Sequence, residues 1–171
     1  SLGLTINTFQ SPSDAHVLDL KSNPLGYGSL TRWTFSEVGG LDTSKFVEPK
    51  LIHYPSFDSR KIPAFIYANK TEEPQPVIIY IHGGPEGQSR PRFSSTFQLW
   101  IKNLNVAVIT PNVRGSEGYG KEYLSLDNGF NRENSVKDIG ALLDWIETQQ
   151  ARIGKVGIQN FLQEEMNEKE G

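Results

Sequence analysis

The chain has 171 residues, a formal charge of −3 and no cysteine. That length holds one domain or slightly more. The small acidic balance excludes an electrostatically driven nucleic-acid binder, which needs a basic patch or stripe. Without cysteine there is no disulfide framework and no thiolate site, and the scattered His16, His53 and His82 supply no zinc ligand set. No apolar run approaches the length of a membrane span, and no membrane partner is expected. The first residues show neither a basic start nor a long apolar core nor an initiator Met. The chain therefore reads as a piece of a longer protein, with the cytoplasm as its expected compartment.

Residues 1–45 read as short strands. Leu2, Leu4 and Ile6 alternate with smaller or polar residues, a period of two. Ser11-Pro12-Ser13-Asp14 is a turn cluster. Ala15 to Leu20 is a second strand, and Ser29 to Phe35 a third, with Leu30, Trp33 and Phe35 as its packing residues. So few antiparallel strands bury little core alone. They fit either the last blade of a β-propeller, which borrows core from its neighbours, or an ordinary β-meander. Gly39 to Ser44 is the expected domain boundary, which gives terminal strands over 1–45 and a second domain over 46–171. Pro49 to Tyr54 and Ile62 to Ala68 form a hairpin around Ser56-Phe57-Asp58-Ser59-Arg60.

From Val77 the rhythm changes to alternating strand and helix. Val77-Ile78-Ile79-Tyr80-Ile81 is uncharged and reads as a strand buried on both faces. It stops at His82-Gly83-Gly84-Pro85. Thr96 to Asn103 is a short helix, and Val106 to Thr110 a second buried strand. A long loop follows through Gly115, Gly118 and Gly120. Val136 to Gln149 is the clearest helix, with Val136, Ile139, Leu142, Leu143 and Ile146 assigned to one face and Ser135 and Asp138 spaced as a capping box. Lys155 to Gln159 is a third short strand, and the acidic tail from Phe161 is a frayed helix or a disordered end. This order implies an α/β fold with a parallel sheet and right-handed crossovers.

Gly83 and Gly84 can leave backbone N–H groups bare at a strand end, one way to build an oxyanion hole. The plainer reading is a tight turn, which also requires glycine. Pro85 has no N–H to offer. Arg114 could anchor a carboxylate or carbonyl through its fork of donors. Ser116 has no evident nearby base and is no nucleophile. Glu86 is a solvated loop charge, and Asp138 a helix cap.

His82-Gly83-Gly84-Pro85 after an apolar strand, followed by Asn112-Val113-Arg114-Gly115-Ser116-Glu117-Gly118-Tyr119-Gly120, resembles the prolyl oligopeptidase family of serine peptidases. The similarity runs from about residue 10 to about residue 159. It implies a partial α/β-hydrolase sheet preceded by the last strands of a β-propeller. It also implies serine-type hydrolysis of short peptides without a cofactor, and supporting roles near the site for His82 and Arg114. One departure stands out. The family's Gly-x-Ser-x-Gly nucleophile turn should follow Lys155 to Gln159, yet Gln159 stands where the Ser belongs and the motif occurs nowhere in the chain. None of the triad is present, so these residues alone are expected to be inactive. A carboxylesterase-like hydrolase stays open as an alternative. So does a non-catalytic interaction protein on the same scaffold, whose exposed sheet edges a second copy or a complementary C-terminal piece would cover.

Overall fold

The computed structural model describes residues 1–20, 28–71, 74–84 and 86–153, with backbone alone for 150–153. The chain divides into two compact units, one of Ser1–Glu48 with Pro91–Gln98 and one of Pro49–Arg90 with the residues from Leu99 onward.

In the first unit β1 (Leu2–Ile6), β2 (Asp14–Asp19) and β3 (Ser29–Arg32) form an antiparallel meander. Leu4 pairs with His16, and Val17 with Thr31. Its best-buried side chain is polar. Asp14 is 1% exposed and pairs with Arg32. It accepts further hydrogen bonds from Thr34 Oγ1 at 2.8 Å and from Ser36 N and Oγ, each at 3.0 Å. Burial alone would raise the Asp14 carboxyl; the donors from Thr34, Arg32 and Ser36 outweigh it and hold it at about 2. The expected packing residues Leu30, Trp33 and Phe35 are instead exposed. A three-stranded meander has no second layer to cover them among the described residues, and the Arg32 guanidinium lies 4.7 Å from the Phe35 ring centre.

The second unit is built on a mixed sheet in the order β4-β5-β7-β6. Strands β4 (Lys50–Pro55) and β5 (Lys61–Tyr67) are the expected hairpin. Ser59 sits at its tip with φ 65°. Strand β6 (Val77–Ile79) leads through α1 (Ser95–Leu104) to β7 (Ala107–Pro111), which lies parallel to β6 and antiparallel to β5. All five residues of β7 are buried, as its continuous apolar run requires at the middle of a sheet.

Strand β6 differs from expectation. It is three residues long and only half-buried, and Tyr80 and Ile81 are exposed. The cause is its position: β6 has one neighbour, β7, among the described residues, so its far side is an edge. An apolar run does not encode strand order.

Past β7 the expected long loop contains a short helix, α2 (Gly120–Ser125), and a 3₁₀ turn at Gly129–Asn131. Helix α3 (Glu133–Ile153) then packs on β4. It begins before Ser135, whose hydroxyl donates to the Arg132 carbonyl instead of accepting as a cap. The expected apolar face is also corrected. Leu142 is fully buried and joins Ile52, Tyr54, Ile62, Ala64, Ile66 and Ile109 in the core, with Trp145 and Ile146 against it. Val136 and Leu143 face solvent at 68% and 53% exposure, while Asp138 is wholly buried. The inward stripe thus runs Asp138, Ala141, Leu142, Trp145, which is helical spacing through a charged residue. The strand and tail expected after Lys155 lie outside the described residues.

Candidate functional site

Two loops leave the same ends of the parallel strands β6 and β7, residues 80–90 and 112–119. Ligands of open α/β sheets gather at the carboxyl ends of such strands. Gly83 and Gly84 are exposed, and their N–H groups donate to no acceptor among the described residues. Gly84 has φ 57°, a conformation that L side chains rarely adopt. The Gly87 N–H closes the turn on the Gly84 carbonyl.

His82 faces the second loop, its Nε2 3.0 Å from Ser116 Oγ and its Nδ1 3.4 Å from the Gly83 carbonyl. The expectation that Ser116 has no histidine nearby is therefore corrected; sequence spacing hid a contact that spans 34 residues. Ser116 is still unsuited to attack a substrate, because it is completely buried.

The loops are joined at two further places. The Glu117 N–H donates to the carbonyls of Glu86 at 3.1 Å and Gly87 at 3.3 Å. Asn112 grips Ser89 from both sides, accepting from its N–H at 2.7 Å and donating to its carbonyl at 3.0 Å. The same amide donates to Tyr119 Oη at 2.8 Å, and Tyr123 Oη donates to the Asn112 carbonyl at 2.7 Å. Burial pushes the Tyr123 hydroxyl well above its ordinary pKa, so it stays a donor.

Beneath the second loop lies a buried charge network. Arg114 Nη2 is 2.8 Å from Asp138 Oδ1, and its Nε is 2.9 Å from Asp138 Oδ2. The Arg114 N–H also donates to Asp138 Oδ2 at 3.0 Å, and Ser56 donates to the same carboxylate. On its other edge the guanidinium holds both oxygens of Asp58, each at 3.0 Å. The Phe57 ring lies 4.5 Å from the guanidinium carbon. Burial opposes the charge on Arg114, but the hydrogen bonds it donates to Asp138 and Asp58 raise its pKa regardless. Those from Arg114 keep the Asp58 carboxyl below the usual range.

Arg114 therefore holds two carboxylates, and Asp138 is no helix cap but the buried half of an ion pair. His82, Gly83 and Gly84 share the upper loop pair with Ser116, and Arg114 lies in the same segment, two residues before Ser116. Glu86 is exposed. Asn112, Tyr123, Ser56 and Asp58 were not singled out from sequence. The one available signal was Asp138, an acid on the inward stripe of a helix, which demands a buried cation. Among the described residues no group of acidic or histidine side chains could hold a metal ion, and no helix is long and apolar enough to cross a membrane.

This arrangement, antiparallel strands before a mixed sheet with glycines exposed at a strand end, is that of part of a propeller-linked α/β-hydrolase. The same fold occurs in a solved prolyl endopeptidase (TM-score 0.73, 19% identity, 86% of this chain and 21% of that one) and in puromycin hydrolase (TM-score 0.72, 19% identity, 86% and 22%). The sequence model of the prolyl oligopeptidase family matches residues 91–158. Prolyl oligopeptidase A of Amanita bisporigera is 30% identical over 74% of this chain and 18% of its own length. Dipeptidyl aminopeptidase BIII of Pseudoxanthomonas mexicana is 33% identical over 71% and 19%. The chain belongs to the prolyl oligopeptidase family, and it spans about a fifth of the length of these curated relatives.

Proposed function

We propose that this chain supplies the oxyanion side of a serine-type peptidase acting on short peptides. The observation that carries this reading is the pair of exposed N–H groups at Gly83 and Gly84, without an acceptor among the described residues, in the loop that follows β6. A serine oxygen attacks the peptide carbonyl, a histidine carries the proton to the leaving amine, and these amides bind the oxygen as it becomes negative. Such donors act because they are fixed before the charge develops. His82 braces the glycine turn through Ser116, and Arg114 with Asp138 anchors the loop that carries Ser116. No cofactor takes part in this chemistry.

The 171 residues alone perform no turnover, since they hold no Gly-x-Ser-x-Gly turn. The half-exposed edge of β6 takes the next strand, from a complementary C-terminal piece or a second copy.

The test is a fusion of residues 1–153 to the C-terminal hydrolase segment of dipeptidyl aminopeptidase BIII. The fusion should cleave dipeptidyl amides, and the 171-residue chain should not. Gly83→Pro removes one N–H and should lower kcat by about 10²–10³-fold with little change in KM. Turnover by the isolated chain, or a fusion that hydrolyses esters but no peptides, would overturn the reading.

A further inference from the structure

Away from the glycine turn, helix α3 and the β4–β5 hairpin enclose an open cleft of about 570 Å³. Phe57, Gly140, Ala141 and Trp145 are among the residues that line it. Gly140 is the informative residue. Glycine inside a helix is less favourable than alanine, and nothing among the described residues lies within 4 Å of where its Cβ would stand. Packing on the described residues does not explain the missing side chain; a Cβ there would narrow the cleft.

The rim carries two opposite charges. Lys137 touches Asn134 at 3.2 Å and the Phe57 ring at 5.3 Å, and neither contact is an ion pair. Asp144 makes no side-chain ion pair among the described residues. They are seven residues apart, two helical turns, so they share one face with Cα atoms roughly 10 Å apart. An extended peptide of three residues spans about 10 Å.

We propose that this cleft binds a short zwitterionic peptide of three or four residues. Its carboxylate meets Lys137, its ammonium meets Asp144, and an aromatic side chain lies over Gly140 between Phe57 and Trp145. A free amino acid is too short to reach both charges. A peptide with blocked ends offers neither charge. The proposal depends on the cleft alone and is independent of the peptidase role.

The experiment is an NMR titration of the full 171-residue chain with Gly-Phe-Gly, followed at the Trp145 indole and the Gly140 amide. Saturable shifts at both are expected. N-acetyl-Gly-Phe-Gly-amide and free phenylalanine should each bind at least fivefold more weakly. Lys137→Gln and Asp144→Asn should each weaken binding about twofold to fivefold, the range of exposed ion pairs. Gly140→Leu should abolish binding while keeping the helix, since leucine is the better helix former. Three results would each overturn the proposal: no saturable shift at these groups, equal binding of the blocked peptide or free phenylalanine, or undiminished binding by a folded Gly140→Leu variant.

Discussion

Arg114 and Asp138 meet through three hydrogen bonds from the guanidinium and a fourth from the Arg114 backbone N–H. Their side chains are 4% and 0% exposed. One contact thus ties the loop after β7 to helix α3, and through Ser56 and Asp58 to the tip of the β4–β5 hairpin. Removing Arg114 strands the Asp138 charge out of water, which costs about 3–5 kcal/mol, whereas removing Asp138 leaves Arg114 paired with Asp58. Arg114→Met should lower the stability of the chain by that amount in urea unfolding, and Asp138→Leu by less. The double variant should lose less than Arg114→Met, because the buried Asp138 charge is gone with its partner.

Helix α3 supplies a paired comparison. Leu142 is fully buried in the core and Leu143 is 53% exposed. Leu142→Ala should cost about 2–5 kcal/mol through lost burial and the cavity left behind. Leu143→Ala should stay within about 0.5 kcal/mol of the parent. Equal losses in urea unfolding would contradict the assigned face.

Two glycines separate conformational strain from steric strain. Gly115 and Gly120 have φ 91° and 90°. A Cβ at Gly120 meets nothing within 4 Å among the described residues, whereas at Gly115 it would lie 2.3 Å from the Asp127 carboxylate. Gly120→Ala should cost roughly 1–2 kcal/mol, the backbone term alone. Gly115→Ala should cost clearly more, because the buried Asp127 must also move. Thermal unfolding of the two variants side by side checks the ordering.

Asp14 sets the acid limit of the β1–β3 sheet. Its carboxyl falls from the ordinary 3.8 to about 2 on folding. A depressed acid contributes stability that is complete above the unfolded value and is lost as pH falls through the folded value. Amide exchange protection of β2 should therefore decline between about pH 4 and pH 2. In Asp14→Asn the sheet should be weaker at pH 7 and that decline flatter. A parent profile that is level across this window would refute the assignment.

The features legible in the sequence are those written locally. The hairpin at Ser56–Arg60, the change of rhythm at Val77, helix α1 and the glycine turn after His82 each follow from a pattern within a few residues. Features that depend on distant partners were not legible. Asp138 resembles a helix cap until Arg114 is placed beside it. Five apolar residues from Val77 resemble a central strand, yet only strand order shows that β7 occupies the centre. Ser116 reads as isolated in the sequence because its histidine lies 34 positions earlier. Val136 and Leu143 mislead for the opposite reason, since an apolar residue next to the inward stripe carries no mark of facing water.

The order of β5, β7 and β6 across the sheet has a consequence for biosynthesis. Strand β7 lies between two strands that precede it in the chain. When β6 emerges from the ribosome, its partner has not yet emerged, and roughly thirty residues must follow first. At about 5–20 residues per second that is a wait of about two to six seconds. Throughout it, the most apolar strand of the unit and the inner edge of β5 are both unpaired. The nascent chain is then a natural client for a chaperone that grips extended apolar segments, and its exposure ends when Pro111 clears the exit tunnel.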